Sequence, residues 1–374
     1  MPQSKKPLIQ PVDIDLGNKQ SIIPGPDPEL EITVKRIPVV EGLGKIIPVC
    51  EPFLGGNEMQ YVMQCIQTNW ISSAGRFILD FENEFAKVCG TRYGIATTSG
   101  TTALHLALVT MGLEPGDEVI VTEFGFIMHR IYASLYKAKI ILAQEENFKA
   151  SVNEILKNVT DKTKIVFIAN PNNPTGTYLS KSEMLNLRKK LRSDILLVVD
   201  DAYFEFLNKQ DFNSGLDLFK DSANVFVTRT FSKIYGLAGL RLGWGYCSKE
   251  IIDAMYHIKP PFNVNRAALA AGVEAIQDNE WTKRAIEHNT LWSEKIFSTL
   301  KKSKIGTNEP AANFFLINFN ETKINSDQAF EKLASKRLIL RKMIQYKIPN
   351  SLRLTIGNKE ANEHFIQSIG SILK

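Results

Sequence analysis

The chain has 374 residues, 44% of them hydrophobic and 23% charged, and a formal net charge of +5. This is the composition of a folded globular chain long enough for one large and one smaller domain. It excludes a disordered polyelectrolyte, and the positive charges are dispersed, with no block of like charge to suggest nucleic acid as a partner.

Residues 1–46 are rich in proline and charge, as in Ile23-Pro24-Gly25-Pro26-Asp27-Pro28, and read as an arm rather than a domain. Apolar residues at helical spacing predict a helix over 57–68 (Met59, Val62, Met63, Ile66) and another over 77–89 (Phe77, Phe81, Phe85, Val88), which Gly90 stops. Strands and helices then alternate. Short strands are predicted at 94–97, 118–121, 138–142, 164–169 and 195–199, with a helix from Thr102 to Met111 after the first. Ser180 followed by Glu183 forms a capping box that opens a further helix. Val225-Phe226-Val227 is another apolar run. Continuous apolar runs mean strands buried on both faces, and their alternation with helices means an α/β domain with a mostly parallel sheet. Beyond about residue 285 the rhythm changes. A long helix over 280–300 leads to a strand at 314–318, a helix at 326–335, short strands around 338–340 and 352–355, and a final helix from Lys359. The expected division is an arm (1–46), a large α/β domain (47–285) and a small α+β domain (286–374).

In such sheets ligands bind outside the carboxyl ends of the strands, and polar residues gather there. Lys233 lies just past the strand that contains Val225–Val227. A lysine in that place is a poor core residue and a good reactive amine, able to condense with an aldehyde. Thr230 and Ser232 beside it supply hydroxyls, and Arg241 supplies a planar cation suited to a phosphate. Together they describe a seat for pyridoxal phosphate. After the first strand, Ser99, Gly100, Thr101 and Thr102 offer helix N-terminal amides and hydroxyls to a phosphate. Asp200 directly follows five apolar residues, where a carboxylate is costly unless paired. Facing a pyridine nitrogen it would keep that atom protonated and strengthen an electron sink. Tyr203 would offer its hydroxyl to the phenolic oxygen of the same ring. His129 reads as an ordinary hydrogen-bonded loop histidine rather than an acid/base group.

The stretch Ser232-Lys233-Ile234-Tyr235-Gly236-Leu237-Ala238-Gly239-Leu240-Arg241-Leu242-Gly243 resembles the lysine signature of class I/II aminotransferases, and most closely their histidinol-phosphate aminotransferase branch. Asn170-Pro171-Asn172-Asn173-Pro174-Thr175-Gly176 resembles the asparagine motif of the class, and Asp200-Asp201-Ala202-Tyr203 its Asp-Glu-Ala-Tyr, with Asp201 a departure. The resemblance covers about residues 126–374. It implies the large-and-small-domain fold of fold-type-I pyridoxal phosphate enzymes, with a seven-stranded sheet. Lys233 would then carry the cofactor and act as the acid/base group, Asn173 would donate to the phenolic oxygen, and Phe126 would stack on the pyridine ring. It also implies that Arg353, in Leu352-Arg353-Leu354-Thr355-Ile356-Gly357, and Arg341 bind the anionic end of the substrate.

The segments 48–58 and 69–76, with 99–104, are similar instead to nucleotide-sugar (DegT/DnrJ/EryC1) aminotransferases, a resemblance that covers about 47–126 and places Trp70 near the mouth of the site. The expected activity is amino transfer between an anionic amino substrate and an oxo acid such as 2-oxoglutarate, in a homodimer. A nucleotide-sugar aminotransferase and a decarboxylase of a phosphorylated amino acid are the alternatives. A complete cofactor set around Lys233 argues against a non-enzymatic pyridoxal phosphate binder. Cys50, Cys65, Cys89 and Cys247 have neither CxxC nor metal-ligand spacing and read as free thiols of a reducing compartment. No apolar run nears the ~18 residues that span a bilayer, and the N-terminus has no basic-then-apolar leader, so the cytoplasm is the expected location.

Overall fold

The computed structural model describes residues 76–373 apart from 261 and 262, and the described residues fall within one compact unit, Lys45–Lys374. The expected helix over 57–68 and Trp70 lie outside the described residues. The first described helix, Arg76–Val88, turns Phe81 and Phe85 fully inward.

Seven strands form the main sheet: β1 (Ile95–Thr97), β2 (Glu118–Thr122), β3 (Lys139–Ala143), β6 (Thr163–Ala169), β7 (Leu196–Asp200), β8 (Val225–Thr230) and β9 (Gly243–Tyr246). A small antiparallel hairpin, β4 (Glu145–Glu146) and β5 (Lys149–Ala150), stands apart from it between β3 and β6. The strand order is β1-β9-β8-β7-β6-β2-β3. Only β9 runs against its neighbours; the pairs β2·β3, β2·β6, β6·β7 and β7·β8 are parallel. Every residue of β2 and β7 is buried, as continuous apolar runs demand. Alternate residues feed two cores. Val166, Ile168, Leu197, Val199, Val225 and Val227 face one, while Ile165, Phe167, Leu196, Val198 and Phe226 face the other. Edge strand β3 is mostly exposed or half-buried.

Helix Asn279–Lys302 runs without interruption through position 285, where the domain boundary is expected. A second, all-antiparallel sheet follows, in the order β10 (Gly306–Thr307), β11 (Phe314–Asn318), β13 (Ser351–Thr355), β12 (Arg341–Lys342). Its inner face packs Phe315, Ile317, Leu352 and Leu354 on Trp292, Ile296 and Phe365. The strand expected at 338–340 is displaced. Leu338 and Leu340 are committed to the core, and pairing with β13 runs only through Arg341 and Lys342.

The capping box is present. The Ser180 hydroxyl accepts from the Glu183 N–H, and Glu183 Oε2 accepts from the Ser180 N–H at 2.7 Å, opening helix Lys181–Lys190. Lys149 Nζ holds Glu183 at 2.8 Å and so ties hairpin to helix. Replacing an N-cap serine by alanine costs ~1 kcal/mol. Ser180→Ala is therefore expected to lower the urea midpoint by that equivalent; an unchanged midpoint would show the cap to be idle.

Candidate active site

The parallel strands end together along one edge of the main sheet, and the residues just beyond them line a single cavity. Ser99, Gly100 and Thr101 reach it from the end of β1, Thr230, Ser232 and Lys233 from the end of β8. Asp200 and Tyr203 come from β7, Asn173 from the loop after β6, Phe126 from the loop after β2, and Arg241 from the turn before β9. Trp70 is outside the described residues.

Each group is held by local structure. Ser99 caps helix Gly100–Thr110, its oxygen accepting from the Thr102 N–H at 3.1 Å. The Thr102 hydroxyl bonds Thr98 and Ser99, at 2.8 and 2.9 Å, so Thr102 reinforces the cap and does not itself line the cavity. β9 presses against this helix start. A Cβ on Gly243 would lie 2.1 Å from the Ser99 carbonyl carbon and 2.3 Å from the Gly100 nitrogen, so only glycine lets the two backbones meet.

The loop carrying Lys233 is braced by backbone bonds from Phe231 N to Leu242 O, Leu237 N to Phe231 O and Gly236 N to Lys233 O. Phe231 anchors it in the core among Phe81, Phe85 and Tyr235. Lys233 Nζ lies 5.1 Å from the centre of the Tyr203 ring. Arg241 takes the left-handed conformation at φ 62°, uncommon for a residue with a Cβ, and its Nη1 donates to the Ala238 carbonyl at 2.5 Å.

Asp200 is buried at the last position of β7. Its Oδ1 accepts from the Ala202 N–H at 3.2 Å, and its Oδ2 lies 3.6 Å from Nε2 of His129. The histidine reading is therefore corrected. His129 is in helix Ile127–Leu135, not a loop, is 2% exposed, and stacks flat on Phe167 at 4.7 Å. Its ring bridges over β6 to reach β7. The strand order, which sequence spacing does not reveal, makes that contact.

Beside Asp200, the Asp201 carboxyl accepts from the Gly215 N–H at 2.7 Å, and burial pushes it well above the usual carboxylate range. Arg229, buried in β8, pairs with Glu205 and lies 3.9 Å over the Phe204 ring.

Asn173 is buried in a loop whose Asn170–Pro171 and Asn173–Pro174 bonds are both cis. Asn170 ties the loop down by exchanging two hydrogen bonds with Leu179. Asn173 Oδ1 accepts from Arg353 Nη1 at 2.7 Å. Arg353, in β13, stands directly opposite Arg341 in β12. Neither arginine lines the cavity itself; Arg353 touches it through Asn173, and Arg341 is exposed.

Across the sheet edge the order is thus hydroxyls, amides and a guanidinium near β1, β9 and β8, then the lysine, a carboxylate, a carboxamide and an aromatic ring. This donor set suits a ligand with a phosphate at one end, an aldehyde within reach of Lys233 and a basic ring atom for Asp200. Pyridoxal phosphate has those three features. Among the described residues there is no cluster of His, Cys, Asp and Glu fit for a metal, and no helix long and apolar enough to cross a membrane.

The chain belongs to the aminotransferase class I and II family, whose sequence profile matches residues 66–369. It is a pyridoxal phosphate-dependent transaminase. It is 49% identical over 298 residues to a histidinol-phosphate aminotransferase of Pelagibacter ubique, covering 79% of this chain and 80% of the relative. A histidinol-phosphate aminotransferase of Maricaulis maris is 41% identical, with 77% of each chain covered. Among solved structures, histidinol-phosphate aminotransferase from Sinorhizobium meliloti, in complex with pyridoxal 5′-phosphate, superposes with a TM-score of 0.77 at 19% identity, covering 85% of this chain and 87% of that one. The aromatic aminotransferase of Pyrococcus horikoshii superposes with 0.75 at 18% identity, covering 88% and 95%. These structures share the fold.

Two glycine substitutions test the cradle. Gly243→Ala forces β9 off the helix start and is expected to weaken pyridoxal phosphate uptake more than about tenfold, or to prevent folding, since overpacked backbone must shift. Gly239→Ala meets open space and is expected to bind like the wild type. Equal uptake by both variants, followed by absorbance titration, would contradict the cradle.

Proposed function

We propose that the substrate is a phosphorylated amino alcohol, histidinol phosphate, with 2-oxoglutarate as the amino acceptor. The observation that carries this reading is the Arg341–Arg353 pair, two arginines directly opposite each other in β12 and β13, with Arg353 bonded to a residue of the cavity wall. Guanidinium forks match phosphate and carboxylate oxygens. The names of the relatives at 41% and 49% identity support the phosphorylated substrate.

In this reading the roles are as follows. Gly100, Thr101, Thr230, Ser232 and Arg241 hold the cofactor phosphate, with Thr102 stiffening the helix start. Phe126 covers the ring, Asn173 and Tyr203 donate to its phenolic oxygen, and Asp200 faces its nitrogen. When bound, pyridoxal phosphate supplies an electrophilic carbon and a sink for the electron pair left behind on the substrate carbon. Lys233 Nζ would anchor the resting cofactor and, once free of it, would be the base for the proton of the substrate carbon. Asp200 keeps the ring nitrogen positive, and His129 keeps Asp200 aimed. Arg353 and Arg341 orient the substrate's anion. A homodimer in the cytoplasm completes the proposal.

The test is a panel of amino donors with 2-oxoglutarate, read by glutamate formation. Histidinol phosphate is expected to be used and histidinol used far less. Turnover of histidinol or a nucleotide amino sugar in preference would overturn the substrate, and release of carbon dioxide would mark a decarboxylase. Lys233→Ala is expected to abolish turnover. Loss of one charge-assisted contact is worth about 1.5–3 kcal/mol, so Arg353→Ala is expected to lower kcat/KM for the phosphorylated donor by about 10- to 100-fold. An unchanged kcat/KM would remove Arg353 from substrate binding. Sedimentation of an active monomer would contradict the dimer.

A further inference from the structure

The loop between β2 and helix Ile127–Leu135 carries Phe126 to the cavity, and that loop is gripped at Phe124. The Phe124 N–H donates to Glu145 Oε1 at 3.0 Å, and Asn172 Nδ2 donates to the Phe124 carbonyl at 3.4 Å. The Phe124 ring lies against Phe148, 5.5 Å between centres, at the tip of the β4–β5 hairpin. The same hairpin is fastened to the body, where the Thr177 hydroxyl donates to the Phe148 carbonyl at 2.7 Å and Lys149 holds Glu183. Glu145 thus joins a fixed hairpin to the segment two residues before the aromatic ring.

Its carboxyl sits awkwardly for a residue without such a task. Oε2 is buried and makes no hydrogen bond of ordinary geometry among the described residues, with the Thr122 hydroxyl near the carboxyl to ease it. Burying an acceptor without a partner is costly, and a hydrophobic residue of similar shape would avoid that cost. What the carboxyl supplies here, and a hydrophobic residue could not, is an acceptor for the Phe124 N–H.

We propose that Glu145 is a positioning residue, whose hold on the Phe124 N–H sets the ring of Phe126 against the cofactor. The proposal rests on the reading that Phe126 covers the pyridine ring.

The groups facing Glu145 make the hold pH-sensitive. Burial pushes the carboxyl up to about 7; the Phe124 N–H, the Thr122 hydroxyl and Arg130 work against that rise, while Glu123 adds to it. A carboxyl raised above its ordinary value favours the protonated form in the fold. Protonation of the carboxyl therefore stabilises the fold fully below the ordinary value of 4.5 and no longer above about 7, while the Phe124 N–H, which favours the ionised form, is gripped more tightly as pH rises through about 7. Glutamine keeps the acceptor and cannot titrate.

The experiment measures hydrogen exchange of the 118–130 peptide in the cofactor-free protein, together with the Kd for pyridoxal phosphate from pH 6 to 8. Losing one hydrogen bond is expected to speed exchange of that peptide and raise the Kd, each by about tenfold, in Glu145→Ala. Glu145→Gln is expected to match the wild type within about twofold at pH 7 and to show a flatter Kd profile across the range. If Glu145→Ala does not fold, Glu145→Asp, which shortens the reach, is expected to exchange faster than the wild type. Wild-type exchange and Kd in Glu145→Ala or Glu145→Asp, or a Glu145→Gln variant as impaired as Glu145→Ala, would overturn the proposal. Should even the wild type fail to take up pyridoxal phosphate, the cofactor reading falls, while the exchange arm still decides whether Glu145 holds the loop.

Discussion

A carboxylate at the end of a wholly buried strand has to be compensated, and at Asp200 the protein compensates it only in part. The Ala202 N–H satisfies one oxygen and the His129 ring stands near the other at 3.6 Å. The carboxylate still faces the cavity that Lys233, Arg241 and the end of β8 also line. Coulombic attraction is stronger in a partly enclosed site than in water, so in the proposed reading a ring nitrogen offered to Asp200 would be held positive there. The rest of the cavity lining brings a lysine, a helix start with hydroxyls, a guanidinium and an aromatic ring to that one carboxylate.

The sheet does this by ending its strands together. β7 and β8 are parallel neighbours, so Asp200 and the Lys233 loop emerge from the same edge. β9, antiparallel between β1 and β8, draws the Ser99–Thr102 helix start in beside them, and Gly243 allows the approach. The second sheet contributes from outside. Its strand β13 carries Arg353 to Asn173 in the cavity wall; in the proposed roles, substrate anion and cofactor oxygen would be coupled through that single carboxamide.

Much of this was legible in the chain. Buried parallel strands announce themselves as continuous apolar runs, and Thr163–Ala169, Leu196–Asp200 and Phe314–Asn318 lie within a residue or so of where periodicity puts them. Lys233 and Asp200 stand out because charged residues follow apolar strands, and Arg241 because a planar cation lies eight residues beyond Lys233. What was illegible depends on neighbours distant in sequence. β9, Gly243-Trp244-Gly245-Tyr246, is short, has two glycines and no β-branched residue, so its strand signal is weak; its place between two strands makes it a strand. Leu338–Leu340 has the look of a strand but its side chains are spent on the core. His129 and Glu145 carry no local signal, because what matters is a contact across β6 in one case and across a hairpin in the other.

Borohydride reduction of the holoprotein followed by peptide mapping examines the central claim most directly, since it fixes the cofactor to whichever nitrogen bears it. The account predicts a phosphopyridoxyl mass on the peptide that contains Lys233 and on no other. A modified peptide elsewhere, with Lys233 unaltered, would contradict it.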